Sequence, residues 1–395
     1  MTAFDQVDLN LSEQYCQIVL GMDQLYRNEK SASKEATFDR EGLVPINLTL
    51  VTPRLFQDWN HVKSDLIELQ KNYLVIKNEI RRNYMQQQIG SLRALADWCS
   101  GKEIPFRDKV RNLLYVNENP LTLWERTALH SQLELLLQGK EYTGSLFDKV
   151  KKWENDREVP PAELESTLKE LLAQAKKRVV QNLFPEIADV EVLPEVVYGV
   201  PYNAYCDYVN GKMYINGDLS YTYEALKHLV THESFPGHTT HMRIRELGVE
   251  TGTVPLDAGL VITNTASSSV FEGIGDNGIL FIDWMDSSDD KVFEIYQRIR
   301  SIAGLQAAHM IHAEQREKEE VCQFLRDFSF GEENWVQSRL RFITHPFRAP
   351  FIYSYWRGNE AVHEVFRGVP LSERKRFYQF LYKNMLSADT VKQFG

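Results

Sequence analysis

Residues 228–241 read His228-Leu-Val-Thr-His232-Glu233-Ser-Phe-Pro236-Gly237-His238-Thr-Thr-His241, and four of the ten histidines of the chain fall within them. The His232-Glu233 pair opens like HExxH, in which two histidines at i and i+4 hold zinc on one helix face and the glutamate serves as general base. Here position 236 is proline, and the next histidine, His238, stands at i+6. In an unbroken helix i+6 lies about 240° round from i, on nearly the opposite side. Pro236 cannot donate to the carbonyl of His232, and Gly237 can take conformations closed to other residues. A helix broken at Pro236-Gly237 swings His238 back toward His232, so the segment reads as a distorted metal-binding helix. Two alternatives stay open. His228 and His232 form an i,i+4 pair by themselves, with Glu224 one turn earlier. His241 either replaces His238 as a ligand or serves as the outer partner of a metal histidine.

Outward from this segment most of the chain reads as helix. Trp59, Val62, Leu66, Leu69, Tyr73, Ile76 and Ile80 step by threes and fours, which predicts one long helix starting near Pro53 and stopping before Gly101. Further helical patterns cover about 11–27, 120–137, 160–183, 221–246, 268–285 and 291–328, with two more near the C-terminus. Between Val190 and Asn216 the pattern turns β-rich, and Asn210-Gly211 separates Tyr205–Val209 from Lys212–Ile215. That spacing predicts a hairpin with a type I′ turn, which needs positive φ at both central residues. Residues 251–270, polar and rich in Gly, Thr and Ser, read as a loop over a cleft. The expected fold class is mainly α: a multi-helix body around a cleft, with a small antiparallel hairpin or sheet beside the active-site helix. The expected organisation is an N-terminal helical region over 1–185 and a catalytic region over 186–395.

Composition narrows the function classes. The 395 residues are 43% hydrophobic and 25% charged, with a net charge of −10, which argues against nucleic-acid or anionic-membrane partners. The four cysteines, Cys16, Cys99, Cys206 and Cys322, are widely spaced and predict reduced thiols. The start of the chain shows no basic-then-apolar export signal, and no apolar run approaches a membrane span, so a cytoplasmic location is expected. Phosphate-binding glycine loops and GxSxG elbows are absent from the sequence.

The order His232-Glu233-Ser-Phe-Pro236-Gly237-His238, then Phe271-Glu272-Gly273, then His312, then Tyr355-Trp-Arg-Gly358 resembles a large bacterial family of zincin-like proteins carrying HExxPGH. That family is similar in logic to the gluzincin metallopeptidases. The resemblance covers about residues 195–360 and departs from the family at Ile274 and Asn277. It implies a zincin-like catalytic region and one Zn2+ per chain, or another divalent metal, held by His232, His238 and Glu272. It implies Glu233 as general base, with Tyr355 and His312 as further catalytic residues donating to an oxyanion. Arg348 and Arg357 are candidate clamps for a substrate carboxylate. The implied activity is a zinc-dependent hydrolase (metallopeptidase) acting on a peptide or small amide substrate. The alternatives are a metal-dependent hydrolase of a non-peptide amide or ester, and a zincin-fold binding protein without turnover.

Overall fold

The computed structural model describes residues 6–30, 41–200 and 202–395. In chain order its first half contains α1 (Gln6–Lys30), β1 (Ile46–Asn47), α2 (Trp59–Asn72), α3 (Glu79–Cys99), α4 (Phe106–Leu114), α5 (Leu123–Gln138), α6 (Leu146–Arg157) and α7 (Leu164–Asn182). Then come β2 (Leu193–Val197), β3 (Ala204–Asp207), β4 (Lys212–Asn216), α8 (Tyr223–Glu233), α9 (His238–Glu250), β5 (Leu260–Val261), α10 (Ala266–Asp276) and the short α11 (Gly278–Phe281). The chain ends with α12 (Ser288–His312), α13 (Lys318–Ser329), α14 (Glu333–Thr344), α15 (Ile352–Gly368) and α16 (Arg374–Lys383). The mainly α fold class is as the sequence predicts, and no helix among the described residues is long and apolar enough to cross a membrane.

Several elements differ from expectation, each for a local reason. The predicted long helix is two, α2 and α3. Ile76 is extended, and the Asn78 side chain accepts from the Arg81 amide at 3.0 Å, which starts a new helix while the apolar spacing runs on unchanged. The predicted helix over 291–328 is also two, α12 and α13, separated at residues 313–317, where Gln315 has φ of 56°. The hairpin forms, but its turn spans Tyr208–Gly211. Of the Asn-Gly pair only Gly211 has positive φ, and the Asp207 carboxylate accepts from the Asn210 amide at 3.2 Å, so the turn is not type I′. The sheet is mixed rather than antiparallel: its order is β2-β4-β3, and β2 runs parallel to β4. A second, two-stranded sheet pairs β1 with β5.

The chain forms two compact units, each drawing on both sides of residue 185: residues 1–118, 241–273 and 357–395, and residues 119–240 and 274–356. The division falls inside α9, α10 and α15, each of which is one continuous helix. In the first unit, residues 251–270 are no loop over a cleft. Asp257, Thr263, Asn264 and Thr265 are buried, and Asp257 takes two hydrogen bonds from Arg81 (2.6 and 2.8 Å) and one from Ser12 (2.5 Å). Arg81 also donates to Asp8 at 3.1 Å, so one buried guanidinium pairs two buried carboxylates from distant parts of the chain. In the second unit, Lys227 of α8 donates to both carboxylate oxygens of Asp290 on α12 at 3.0 Å, with both groups buried. That pair ties α8 to α12.

Candidate metal centre

The Thr222 side chain caps α8, accepting from the Ala225 amide at 3.1 Å. The helix runs to Glu233 and stops where Pro236 removes a donor, as the sequence predicts. The carbonyls freed there find other partners. Thr231 accepts from the Gly237 amide (2.9 Å), Ser234 from the Thr240 amide (3.1 Å), and Glu233 from the Thr239 hydroxyl (3.2 Å). A Cβ at Gly237 would stand 1.7 Å from the His232 carbonyl oxygen, so this tight corner admits glycine alone. The corner sets the rings of His232 and His238 with centroids 4.7 Å apart and planes 81° apart, the swing that the Pro-Gly break implies.

The glycines after Glu272 serve close approach rather than weakening a helix. A Cβ on Gly275 would meet the His232 ring at 2.7 Å, one on Gly278 the Thr231 carbonyl oxygen at 2.6 Å, and one on Gly273 the Gly358 carbonyl oxygen at 2.3 Å. Gly275→Ala is expected to destabilise the chain by about 1–3 kcal/mol through overpacking. Chemical denaturation measures it, and a midpoint equal to wild type would contradict the contact.

At the end of α10, Oδ1 of Asp276 lies 2.9 Å from Nδ1 of His232 and 3.6 Å from Nε2 of His228. Burial pushes the Asp276 carboxyl up, but hydrogen bonds and charge from the two histidines outweigh this and hold it well below the usual carboxylate range. An ionised carboxylate only accepts, so His232 donates from Nδ1 and keeps its lone pair on Nε2. Asp276 was not singled out from the sequence. The available signal is its spacing of four from Glu272, which puts both carboxylates on one face of a helix.

Glu272, one turn before Asp276, is buried, as are His232 and His238. The ligating atoms of His232, His238 and Glu272 lie within 4.8 Å of one another, and so do those of His228, His232 and Asp276. Two imidazoles and a carboxylate are the donor set that suits zinc, and a carboxylate on the far nitrogen of a ligating histidine is the common outer partner. The residues present therefore fit a divalent ion. Glu233 is half-buried, and its charge reaches β3. Burial pushes the Tyr205 hydroxyl up to about 12, with Asp207, Cys206 and Glu233 adding to the rise.

The other predicted residues have definite surroundings. Glu224 is paired by Arg157, whose Nε is 3.1 Å away, which takes it out of the alternative ligand set with His228. His241 packs against the rings of Phe271 and Tyr382, with centroids 5.6 and 5.4 Å away. His312 shares a 2.7 Å hydrogen bond with the Ile343 carbonyl, which ties α12 to α14. Tyr355 is half-buried among Phe342 and Phe351. Arg348 is buried, whereas Arg357 donates to the Asn117 carbonyl and to Glu360.

Fold and side chains together define a mainly α protein with a buried histidine-carboxylate cluster whose donor atoms could hold a metal ion. No protein-family model matches the chain, and no curated protein does. Solved structures share the fold. A "putative lipoprotein" from Colwellia psychrerythraea matches with a TM-score of 0.55 and 11% identity, over 84% of this chain and 65% of that one. A "putative lipoprotein of unknown function" from Shewanella oneidensis matches with a TM-score of 0.53 and 13% identity, over 86% of this chain and 73% of that one. The chain thus spans 65% of the length of the first of these proteins. At such identities the likeness is one of fold alone. It corrects the functional expectation: the two structures named here are of a "putative lipoprotein" and a "putative lipoprotein of unknown function", and neither description carries a hydrolase activity. The assignment as a zinc-dependent peptide hydrolase is withdrawn, together with its non-peptide and non-catalytic alternatives.

Proposed function

We propose that this chain is a metalloprotein whose function is carried by one divalent ion, zinc foremost, held by His232, His238 and Glu272. The observation that supports this reading most is the hydrogen bond from Nδ1 of His232 to Asp276, which fixes the tautomer and orientation of the ring. A histidine held only for packing needs no carboxylate to fix its tautomer, whereas a ligating one commonly has this partner. Three protein ligands are the number found at open metal sites, and the bound ion supplies Lewis acidity there.

This chain's own residues then have distinct tasks. His232, His238 and Glu272 hold the ion, Asp276 orients His232, and Glu233, next to His232 in the chain, is not a ligand. Equilibrium dialysis against Zn2+, followed by elemental analysis, separates these tasks. His238→Ala and Glu272→Ala are expected to lose the ion from this position. Glu233→Gln, nearly isosteric and not a ligand, is expected to keep it in full. Loss of zinc in Glu233→Gln, or its retention in both other variants, would contradict the assignment.

A further inference from the structure

His228 has no task in the reading above, yet it is buried and takes part in a second set of donors. Its Nε2 is 3.6 Å from Oδ1 of Asp276, and that oxygen is 2.9 Å from Nδ1 of His232. The donors of a four-coordinate ion with bonds of 2.0–2.1 Å stand about 3.3–3.4 Å apart. The two separations bracket that value, so Oδ1 of Asp276 stands near the spacing from each histidine that an ion would impose, and all three donor atoms lie within 4.8 Å of one another. The fourth acid of the region, Glu224, is committed to Arg157 and does not compete. Phe293, with its ring centroid 5.6 Å from that of His228, gives this side of the cluster an apolar wall. Lys227, the nearest cation along α8, is neutralised by Asp290.

We propose that His228, His232 and Asp276 form a second divalent-cation site, next to the first and sharing the ring of His232 with it. The ion takes Nε2 of His228, Nδ1 of His232 and the Asp276 carboxylate. His232 then serves the two ions through opposite ring nitrogens, and the proton on Nδ1 passes to solvent as the second ion binds. The first ion is bound with Asp276 as an outer partner, and the second converts that same carboxylate into a ligand. The proposal goes beyond the one-ion reading and shares only His232 with it, since His228 and Asp276 are not ligands of the first ion.

The test is the saturating stoichiometry of Zn2+ on the full chain, by equilibrium dialysis and elemental analysis, for wild type, His228→Gln and Glu272→Gln. Wild type is expected to hold two ions per chain, and each variant one. The wild-type count alone decides if a variant fails to fold: one ion at saturation overturns the second site. One ion in wild type that survives in His228→Gln and is lost in Glu272→Gln overturns the second site and leaves the first in place. One ion lost in His228→Gln and kept in Glu272→Gln overturns the two-ion proposal and the His232-His238-Glu272 assignment together, and makes the His228 cluster the metal position.

Discussion

Replacing Arg81 by methionine is expected to lower the unfolding free energy by about 3–5 kcal/mol, the scale of a buried ion pair broken on one side. Methionine fills similar volume, so little of that loss is packing. What remains are two buried carboxylates, Asp8 and Asp257, without the guanidinium that pairs them both. The effect carries a pH signature. Burial pushes the Asp257 carboxyl up, but the charge of Arg81 and hydrogen bonds from Arg81 and Ser12 outweigh this and hold it below its ordinary value. A carboxyl depressed in the folded state contributes stability that is complete above its unfolded pKa of about 3.9 and is lost as pH falls through the folded value. The gap between wild type and variant is therefore full at neutral pH and closes as pH drops below about 4. Urea denaturation across this range measures it. A gap below about 1 kcal/mol at pH 7, the scale of a surface ion pair, would contradict the account.

The second large effect falls on His232. His232→Ala removes a ligand from each of the two sets of donors at once, because the two groups share that ring. It is expected to reduce bound zinc to near zero, where His238→Ala affects only the first set and His228→Gln only the second. The same change takes a donor from Asp276, which burial then pushes toward neutrality. Elemental analysis of the dialysed variant checks the loss, and retention of a full equivalent of zinc would remove His232 from the centre.

The parts of the fold legible in the sequence are those with a single local cause. Proline lacks an N–H, so the break after Glu233 and the return of His238 toward His232 follow from Pro236-Gly237 alone. The split between α2 and α3 was hidden, because the three-and-four spacing from Trp59 to Ile80 continues across it and only the capping Asn78 marks the new start. The glycines at 273, 275 and 278 illustrate a different limit. Glycine by propensity weakens a helix, but here these are the positions where other backbone or the His232 ring comes too close for a Cβ. Residues 251–270 misled for a related reason: their polar composition matches a surface loop, but Asp257 is buried by a partner, Arg81, 176 residues away. No local pattern encodes a pairing at that distance. Asp276 went unnoticed because its neighbour Glu272 already supplied the expected carboxylate, although their spacing of four puts both on one helix face.

The central claim is that His232, His238 and Glu272 hold a divalent ion, and calorimetric titration of metal-free chain with Zn2+ tests it most directly, wild type against His238→Ala. His238 belongs to the first donor set and not to the second, so the variant isolates that centre. The account predicts a tight saturable phase in wild type that disappears in His238→Ala. An isotherm unchanged by the substitution, with the same affinity and the same number of sites, would contradict it.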